Sequence, residues 1–250
     1  MLSPLILIAA AAPAPILHYV QSNRDGSVSE QISMTRPSVT SVAVYRHGGR
    51  CGVPTYVTVS FDPKSGEVAS LDTGRVGAKG EQVRSGRFDF DPATRTLSAW
   101  ADLPSGRVSD SILVPDRPWH LFNYGWATLN AELQSARPRR DFAFGLPWAG
   151  SASGSFLQYK GRVRAHFRGY DQHGKQQALL FNLSLEGPEP ATGKLLLDAS
   201  GGHILLAELS VAGHGDSRDF RIELHKVEKG GARAWTRLLR KRDANCPKGR

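Results

Sequence analysis

Basic side chains recur at alternate positions in one segment of the chain, and this pattern suits the binding of an anion. They are Lys160, Arg162, Arg164, His166 and Arg168. The odd-numbered positions of the same segment carry Leu157, Tyr159, Val163, Ala165 and Phe167. Successive side chains of a strand point to opposite faces, so a strand here gathers the cations into one basic ladder. Arginine contacts phosphate through two parallel N–H groups, which suits lipid headgroups or an anionic polysaccharide. The alternative is a solvated outer face whose cations pair with neighbouring acids such as Glu186.

Two short sequences approach a catalytic or a phosphate-binding motif without matching it. A hydrolase nucleophile elbow needs Ser at the centre of G-x-S-x-G, whereas the sequence from Gly150 to Gly154 has Ala152 at its centre. A P-loop needs four residues between its glycines, followed by Lys and then Ser or Thr. Here Leu195 follows the lysine of the Gly187 to Lys194 segment, and the glycine spacing is too long. The sequence therefore predicts neither chemistry.

The histidines give no signature of a metal site or of a catalytic triad. No H-E-x-x-H motif and no close pair at ligand spacing is present. A hydrolase site assembled from remote parts of the chain would draw on His120, His166 and His214. Carboxylate pairs for glycoside hydrolysis also come from remote strands, and the sequence nominates none. We therefore expect no metal, no cofactor and no enzymatic activity.

One segment has helical rather than alternating periodicity. Between Trp119 and Ala136 no proline interrupts the chain, and apolar residues recur at helical spacing: Phe122, Trp126, Leu129 and Leu133. Asp116 is placed to cap the start, Pro118 suits the first turn, and the Arg137-Pro138 pair ends the pattern. We predict a helix over about 118–136 whose aromatic stripe packs against a sheet.

The remaining chain consists of short alternating runs separated by turn residues, the pattern of antiparallel sheet. The connections in the second half are too short for the helical crossovers of a parallel sheet. The tail at 233–242 fits either a two-faced edge strand or a helix lying on a membrane surface, and we predict the strand. The predicted strands are 18–21, 28–35, 39–46, 56–61, 68–73, 87–90, 96–103, 107–114, 156–168, 178–186, 194–198, 204–211, 219–227 and 234–241.

The amino terminus has the composition of a secretory leader. Residues 2–12 are apolar apart from Ser3 and end in small residues, which favours a signal peptide over 1–11 with cleavage after Ala11. The run is too short to span a bilayer, and no cysteine follows it for a lipid anchor. The alternative is the buried first strand of a cytosolic protein, because no Lys or Arg precedes the run. We expect a periplasmic protein with one domain over 12–250 and a possible sub-boundary at the Gly/Ser loop 150–155.

The cysteine content, the composition and the net charge limit the disulfide pairing, the class of protein and the partners that we expect. An exported chain whose only cysteines are Cys51 and Cys246 is expected to join them in one disulfide, and the alternative is two free thiols. Hydrophobic residues at 40% and charged residues at 22% exclude a disordered or collagen-like chain. A formal net charge of +9 favours acidic partners. No nucleic-acid motif is present, so nucleic acid is not an expected partner.

The arrangement of these segments resembles that of known proteins. The residues that carry the likeness are Pro115-Asp116-Arg117-Pro118 before the aromatic helix, then 193–198 and 219–224 in the later strands. The chain resembles uncharacterised exported β-rich proteins of proteobacteria, and in architecture the half-barrel carriers of the lipoprotein localisation system. The resemblance implies a curved antiparallel sheet, a half-barrel or open barrel, wrapped round one aromatic helix over an apolar hollow. It transfers no functional residue.

These inferences lead to a non-enzymatic hypothesis. We expect a cell-envelope binding or carrier protein for an apolar or amphipathic anionic ligand, such as a lipid or an acyl chain. Phe122, Trp126 and Trp148 would line the hollow, and the ligand's charge would meet Arg162, Arg164 and Arg168. The alternatives are an envelope scaffold that docks through a sheet edge, and the hydrolase with a dispersed site. Protein partner, ligand and oligomeric state lie beyond the sequence.

Overall fold

A strongly curved antiparallel sheet that remains open dominates the protein. The computed structural model describes residues 14–48, 54–150, 155–211 and 217–240. Within these ranges the strands are β1 Ile16–Ser22, β2 Glu30–Ser38, β3 Ser41–Gly48, β4 Thr55–Phe61, β5 Val68–Val76, β6 Gln82–Asp91, β7 Thr96–Leu103, β8 Gly106–Leu113, β9 Phe142–Ala149, β10 Leu157–His173, β11 Gln176–Glu186, β12 Ala191–Asp198, β13 Ile204–Leu209 and β14 Phe220–Glu228. Their order in the sheet is β8-β7-β6-β5-β4-β3-β2-β1-β14-β13-β12-β11-β10-β9, and all pairs are antiparallel. The sheet wraps one aromatic-rich helical segment, so the predicted fold class is confirmed.

Alternation explains why these segments form half-buried strands. In β4 the side chains of Val57, Val59 and Phe61 are buried, while the residues between them are more exposed. The turn that follows is held by Asp62, whose carboxylate accepts hydrogen bonds from the backbone N–H of Lys64 at 3.0 Å and of Ser65 at 2.7 Å. The same alternation in most strands gives the sheet an apolar concave face, whereas β13 is buried on both faces and β8 has no buried residue.

The predicted helix over 118–136 is only partly present. The α-helix α1 spans Ala127–Ala136 and follows a single 3-10 turn at Tyr124–Trp126. Residues 118–122 are extended instead and run parallel to β9: the N–H of His120 donates to the carbonyl of Gly145, and that of Phe122 to the carbonyl of Pro147, both at 2.9 Å. The free edge of β9 supplies backbone partners that a helix at 118–122 would leave unpaired. The predicted end is confirmed, since α1 stops immediately before Arg137.

The residue predicted to cap the start of that helix has a different role in the structure. Asp116 does not cap a helix but accepts a hydrogen bond from the Tyr159 hydroxyl.

The chain reverses at Gly125, whose φ of 64° lies in the left-handed region that favours glycine. A Cβ at Gly125 would lie 2.7 Å from Ile222 and 2.8 Å from Ile32. The residue at this reversal must therefore be both small and free to adopt positive φ.

The tail is a helix, and the predicted strand at 234–241 is wrong. Helix α2 spans Gly231–Arg240 and lies on the convex side of the sheet. Its buried residues are Gly231, Ala234, Trp235 and Leu239, which recur every three to four positions as a helix requires. They pack against Ile16, Ala43, Tyr45 and Val76. The mixture of apolar and basic residues in the tail is compatible with the two-residue period of a strand and with the 3.6-residue period of a helix. Packing of the apolar face on the sheet favours the helix.

Helix α1 occupies the concave side and completes the main core. Trp126, Leu129 and Leu133 are at most 2% exposed and pack among side chains from both halves of the sheet. Neither α1 nor α2, nor any other helix in the part of the chain that the structure describes, is long and apolar enough to cross a bilayer. The main core, which is separate from the cluster beneath α2, joins the concave face of the sheet to α1.

Several predictions fall outside the described residues. The leader at 1–11, Cys51, Cys246 and His214 all lie there, and so do residues 151–154 of the Gly/Ser loop. The strands before and after that loop, β9 and β10, pair with each other in the same sheet. The sheet thus continues across the predicted sub-boundary.

Candidate ligand-binding site

The open space nearest to α1 lies at one end of the curved sheet. The last turn of α1 reaches the rim formed by the β2–β3 connection at 39–40, the β4–β5 turn at 62–67 and the residues Arg117 and Pro118. We call this end the upper rim. It gathers segments that are far apart in sequence, because antiparallel strands bring every second turn to the same end.

Two adjoining cavities open at the upper rim. The first, which we call the apolar pocket, has a volume of about 420 Å³. Its lining is largely apolar: Pro15, Leu17, Met34, Pro37, Val39, Val42, Ala127 and Ala131, with Thr35, Arg36 and Gln134. The second, the polar cleft, has a volume of about 660 Å³ and carries Arg36, Asp62, Glu67, Arg117 and Glu132. Arg36, Val39 and Ala131 line both, so the two cavities form one groove, and most of its charged side chains lie in the polar cleft.

Arg36 stands where the two cavities meet. One terminal nitrogen donates to the carbonyl of Ala131 at 2.9 Å and to the Ser135 hydroxyl at 2.6 Å, and the other donates to the carbonyl of Val39 at 2.7 Å. Its Nε is buried and has no hydrogen-bond partner in the described structure. Burial lowers the pKa of the guanidinium, which nevertheless stays protonated. No carboxylate of the described chain pairs with it, so its positive charge is not neutralised by an acid.

Glu67 is the most buried acid of the polar cleft, and two arginines neutralise its charge. Glu67 is 8% exposed and accepts hydrogen bonds from Arg95 at 3.0 Å and from Arg117 at 2.6 Å. Burial alone would raise the pKa of Glu67, but the hydrogen bonds from Arg117 and Arg95 outweigh it, and the pKa is lowered. Glu67 therefore stays ionised and holds Arg117 at the mouth of the cleft rather than repelling an anionic ligand.

His120 lies behind the polar cleft and not in it. The ring is 1% exposed, its Nδ1 is 3.3 Å from the Thr128 hydroxyl, and its Nε2 is 3.1 Å from a carboxylate oxygen of Glu132. Thr128 is also buried, so neither group meets a solute that enters the cleft. His166 is on the surface beside Asp141 at 3.0 Å. The structure does not bring His120 and His166 into one site.

The aromatic residues predicted to line a hollow are mostly packed against one another. The Trp126 ring meets the rings of Phe144 and Phe220 at centroid distances of 5.9 and 5.0 Å, and Phe122 lies 5.0 Å from Phe220. Trp126 lines none of the cavities described here. Phe122 and Trp148 line a small pocket of about 140 Å³ at the opposite end of the sheet. The space that the hollow would occupy is filled by α1 and its aromatic neighbours.

Four cations of the basic ladder of β10 have acidic neighbours, and one of them, Lys160, also lies over the ring of Trp148, 5.0 Å from its centroid. Arg164 lies 2.6 Å from Glu186, and Arg162 lies 3.6 Å from Asp116. The other two pairs are Lys160–Glu189 at 3.5 Å and His166–Asp141 at 3.0 Å. Arg168 is exposed. The structure thus shows the paired outer face considered as the alternative, and it does not bring these arginines together with Phe122 or Trp126.

Sequence reasoning missed Arg36 as a site residue. Its only local signal is its place directly after the predicted strand 28–35 and before Pro37. The strand β2 brings it to the upper rim, and α1, which lies some 95 positions later at Ala131, supplies its partner. A contact between positions so distant leaves no trace in spacing or periodicity.

Metal chemistry and known relatives add nothing to this site. Over residues 14–240, apart from the three gaps given above, no group of three or more His, Cys, Asp or Glu could hold a metal ion. A comparison with protein-family models finds no match, and a comparison with curated proteins finds no significant relative. The geometry of the upper rim is therefore the main structural indication of function.

Proposed function

We propose that the protein is a cell-envelope binding or carrier protein for an amphipathic anionic ligand with an acyl-like tail. The tail occupies the apolar pocket, and the anionic group meets Arg36. The observation that carries the proposal is the position of Arg36, a guanidinium without a carboxylate partner at the junction of an apolar and a polar cavity. The periplasmic location expected from the leader is part of the same proposal.

The size and lining of the groove support a small amphiphile. Ligand pockets have volumes of roughly 300 to 1,000 Å³ and are mostly apolar with a few placed polar groups. The apolar pocket, at about 420 Å³, lies within that range. Each methylene that leaves water for the pocket contributes about 0.8 kcal/mol. Affinity should therefore rise about fourfold with each added methylene until the pocket is full.

The architecture also supports a carrier. A curved sheet with one helix on its concave side is the arrangement that the resemblance to half-barrel carriers led us to expect. In this chain the helix fills the centre, and the accessible space lies at the ends of the sheet; at the upper rim it includes the apolar pocket and Arg36. We therefore place the ligand at Arg36 and Ala131 rather than at Phe122 and Trp126.

Displacement of a fluorescent fatty acid tests the proposal directly. Ala131→Leu adds volume where both cavities meet, while Ala136→Leu adds the same volume at an exposed position of the same helix. We expect Ala131→Leu to weaken binding at least tenfold and Ala136→Leu to bind like the wild type, with thermal unfolding verifying that both variants fold. Native mass spectrometry of protein purified from the envelope should show retained lipid. No fatty-acid binding by the wild type, or equal binding by both variants, would overturn the proposal.

A further inference from the structure

Helix α2 presents a basic stripe to solvent. Arg233, Arg237 and Arg240 follow one another at intervals of four and three positions, which places them on one line along the helix. All three are exposed. The residues that pack on the sheet, Ala234, Trp235 and Leu239, lie on the opposite face. The apolar face of α2 is therefore fully used by the protein, and the outward face is basic.

The stripe carries more positive charge than its neighbours neutralise. Arg237 lies 3.2 Å from Glu228, whereas Arg233 and Arg240 form no ion pair with any residue that the structure describes. Exposed Lys229 precedes the helix. Beside the end of the helix, the turn at Gly80 adjoins Leu239 and Arg240, and this turn carries exposed Lys79 together with exposed Glu81. The outer surface of α2 is thus a concentrated part of the chain's net charge of +9.

The composition of this surface indicates what it binds. Protein interfaces are built round buried aromatic and apolar anchors, and the outward face of α2 has none: between the arginines it carries Ala232 and Thr236. A row of long, flexible cations without an apolar anchor suits a fluid sheet of negative charge. We infer that α2 docks the protein on an anionic phospholipid surface, by electrostatic attraction and without insertion of the helix.

The start of α2 is near the upper rim, and its end is at the opposite end of the sheet. Ile16 is buried beneath α2, and the preceding residue, Pro15, lines the apolar pocket. Arg240, at the other end of the helix, lies beside the Gly80 turn between β5 and β6. The inference itself uses only α2 and its surroundings, so its test does not depend on the proposed function.

Vesicle co-sedimentation at low salt tests the inference. The probe is a vesicle of equimolar phosphatidylglycerol and phosphatidylcholine, compared with phosphatidylcholine alone. Each Lys or Arg near an anionic surface contributes about fivefold to partitioning. The variant R233Q/R237Q/R240Q should therefore bind about a hundredfold more weakly than the wild type. The variant R233K/R237K/R240K should bind like the wild type, because it retains the charge.

A matched control variant on β10 tests whether binding depends on the stripe of α2 or only on the net charge of the protein. R162Q/R164Q/R168Q removes the same number of charges from the outer face of β10 and should change binding less than threefold. Binding should also disappear at high salt. The inference is overturned if the wild type does not prefer anionic vesicles, if both glutamine variants lose binding equally, or if duplex DNA binds as tightly with the same dependence on α2.

Discussion

The side-chain amide of Asn130 donates a hydrogen bond of 2.9 Å to the hydroxyl of Tyr19 in the interior of the protein. The amide oxygen accepts from the N–H of Ile204 at 3.0 Å, and the Tyr19 hydroxyl donates to the carbonyl of Ile204 at 2.9 Å. Asn130 and Tyr19 are each 1% exposed. This triangle connects α1 to β1 and to the start of β13, and it positions the helix that shapes the candidate site.

Asn130→Leu should destabilise the protein by about 3 kcal/mol, because the Ile204 N–H and the Tyr19 hydroxyl lose a buried partner. Tyr19→Phe should destabilise it as well, and the double variant should lose less than the sum, since both changes break the same network. Urea unfolding measures the three free energies. Strict additivity would show that the triangle does not act as a unit.

The reversal at Gly125 predicts a second stability effect. Gly125→Ala should destabilise by about 3 kcal/mol, through a positive φ that an L-residue tolerates poorly and through contact with the Ile32 and Ile222 side chains. Gly174 has a similar φ of 60° with no atom within 4 Å of an added Cβ. Gly174→Ala should therefore lose only about 1 kcal/mol. Equal losses in urea unfolding would mean that the space at Gly125 is not restricted.

The Glu67 cluster predicts how stability depends on pH. The folded-state pKa of Glu67 is lowered below the value of about 4.3 for an unfolded chain. Its stabilising contribution is thus complete above about pH 4.3 and is lost as the pH falls through the folded-state pKa. Glu67→Gln should cost about 3 kcal/mol at neutral pH, because it leaves Arg95 without its carboxylate.

Unfolding free energies of the wild type and Glu67→Gln, measured from neutral to acidic pH, test this cluster. The difference between the two proteins should be constant near neutrality and should shrink in acid. A difference that grows as the pH falls would contradict the assignment.

A side-chain contact between β8 and β10 predicts a local effect on amide hydrogen exchange. Asp110 on β8 accepts a hydrogen bond of 2.8 Å from the N–H of Leu157 on β10 and another from the Ser155 hydroxyl. These bonds connect β8 to the start of β10, although the two strands are not hydrogen-bonded neighbours in the sheet. Asp110→Ala should speed exchange of the Leu157 amide about tenfold. Asp102→Ala, which removes an exposed carboxylate paired with Arg107, should leave that amide unchanged. Equal exchange in both variants would exclude the bridge.

Much of the fold follows from local patterns, and the exceptions have physical causes. Alternation and turn residues predicted most of the sheet, including β7 with the same bounds, 96–103. Strand β9 was missed because Gly145 and Pro147 interrupt its pattern, although proline is tolerated in an edge strand. Residues 118–122 have helical spacing but take backbone partners from that same edge. Tertiary pairing thus overrides the local signal in both segments.

The site was less predictable than the fold. The aromatic stripe correctly predicted that Trp126 faces the sheet, but periodicity does not say whether a hollow beside it is open or filled. Here Phe144 and Phe220 fill it. The accessible groove depends on contacts between Arg36 and Ala131, which are distant in sequence and become visible only in three dimensions.

Calorimetric titration of wild type and Arg36→Gln with dodecanoate and dodecanol tests the central claim most directly, because the two ligands share a tail and differ in charge. If the apolar pocket takes the tail and Arg36 the anion, the variant should bind dodecanoate about 10 to 100 times more weakly. Its affinity for dodecanol should remain that of the wild type. Equal affinity of the wild type for both ligands, or dodecanoate binding unchanged by Arg36→Gln, would contradict the account.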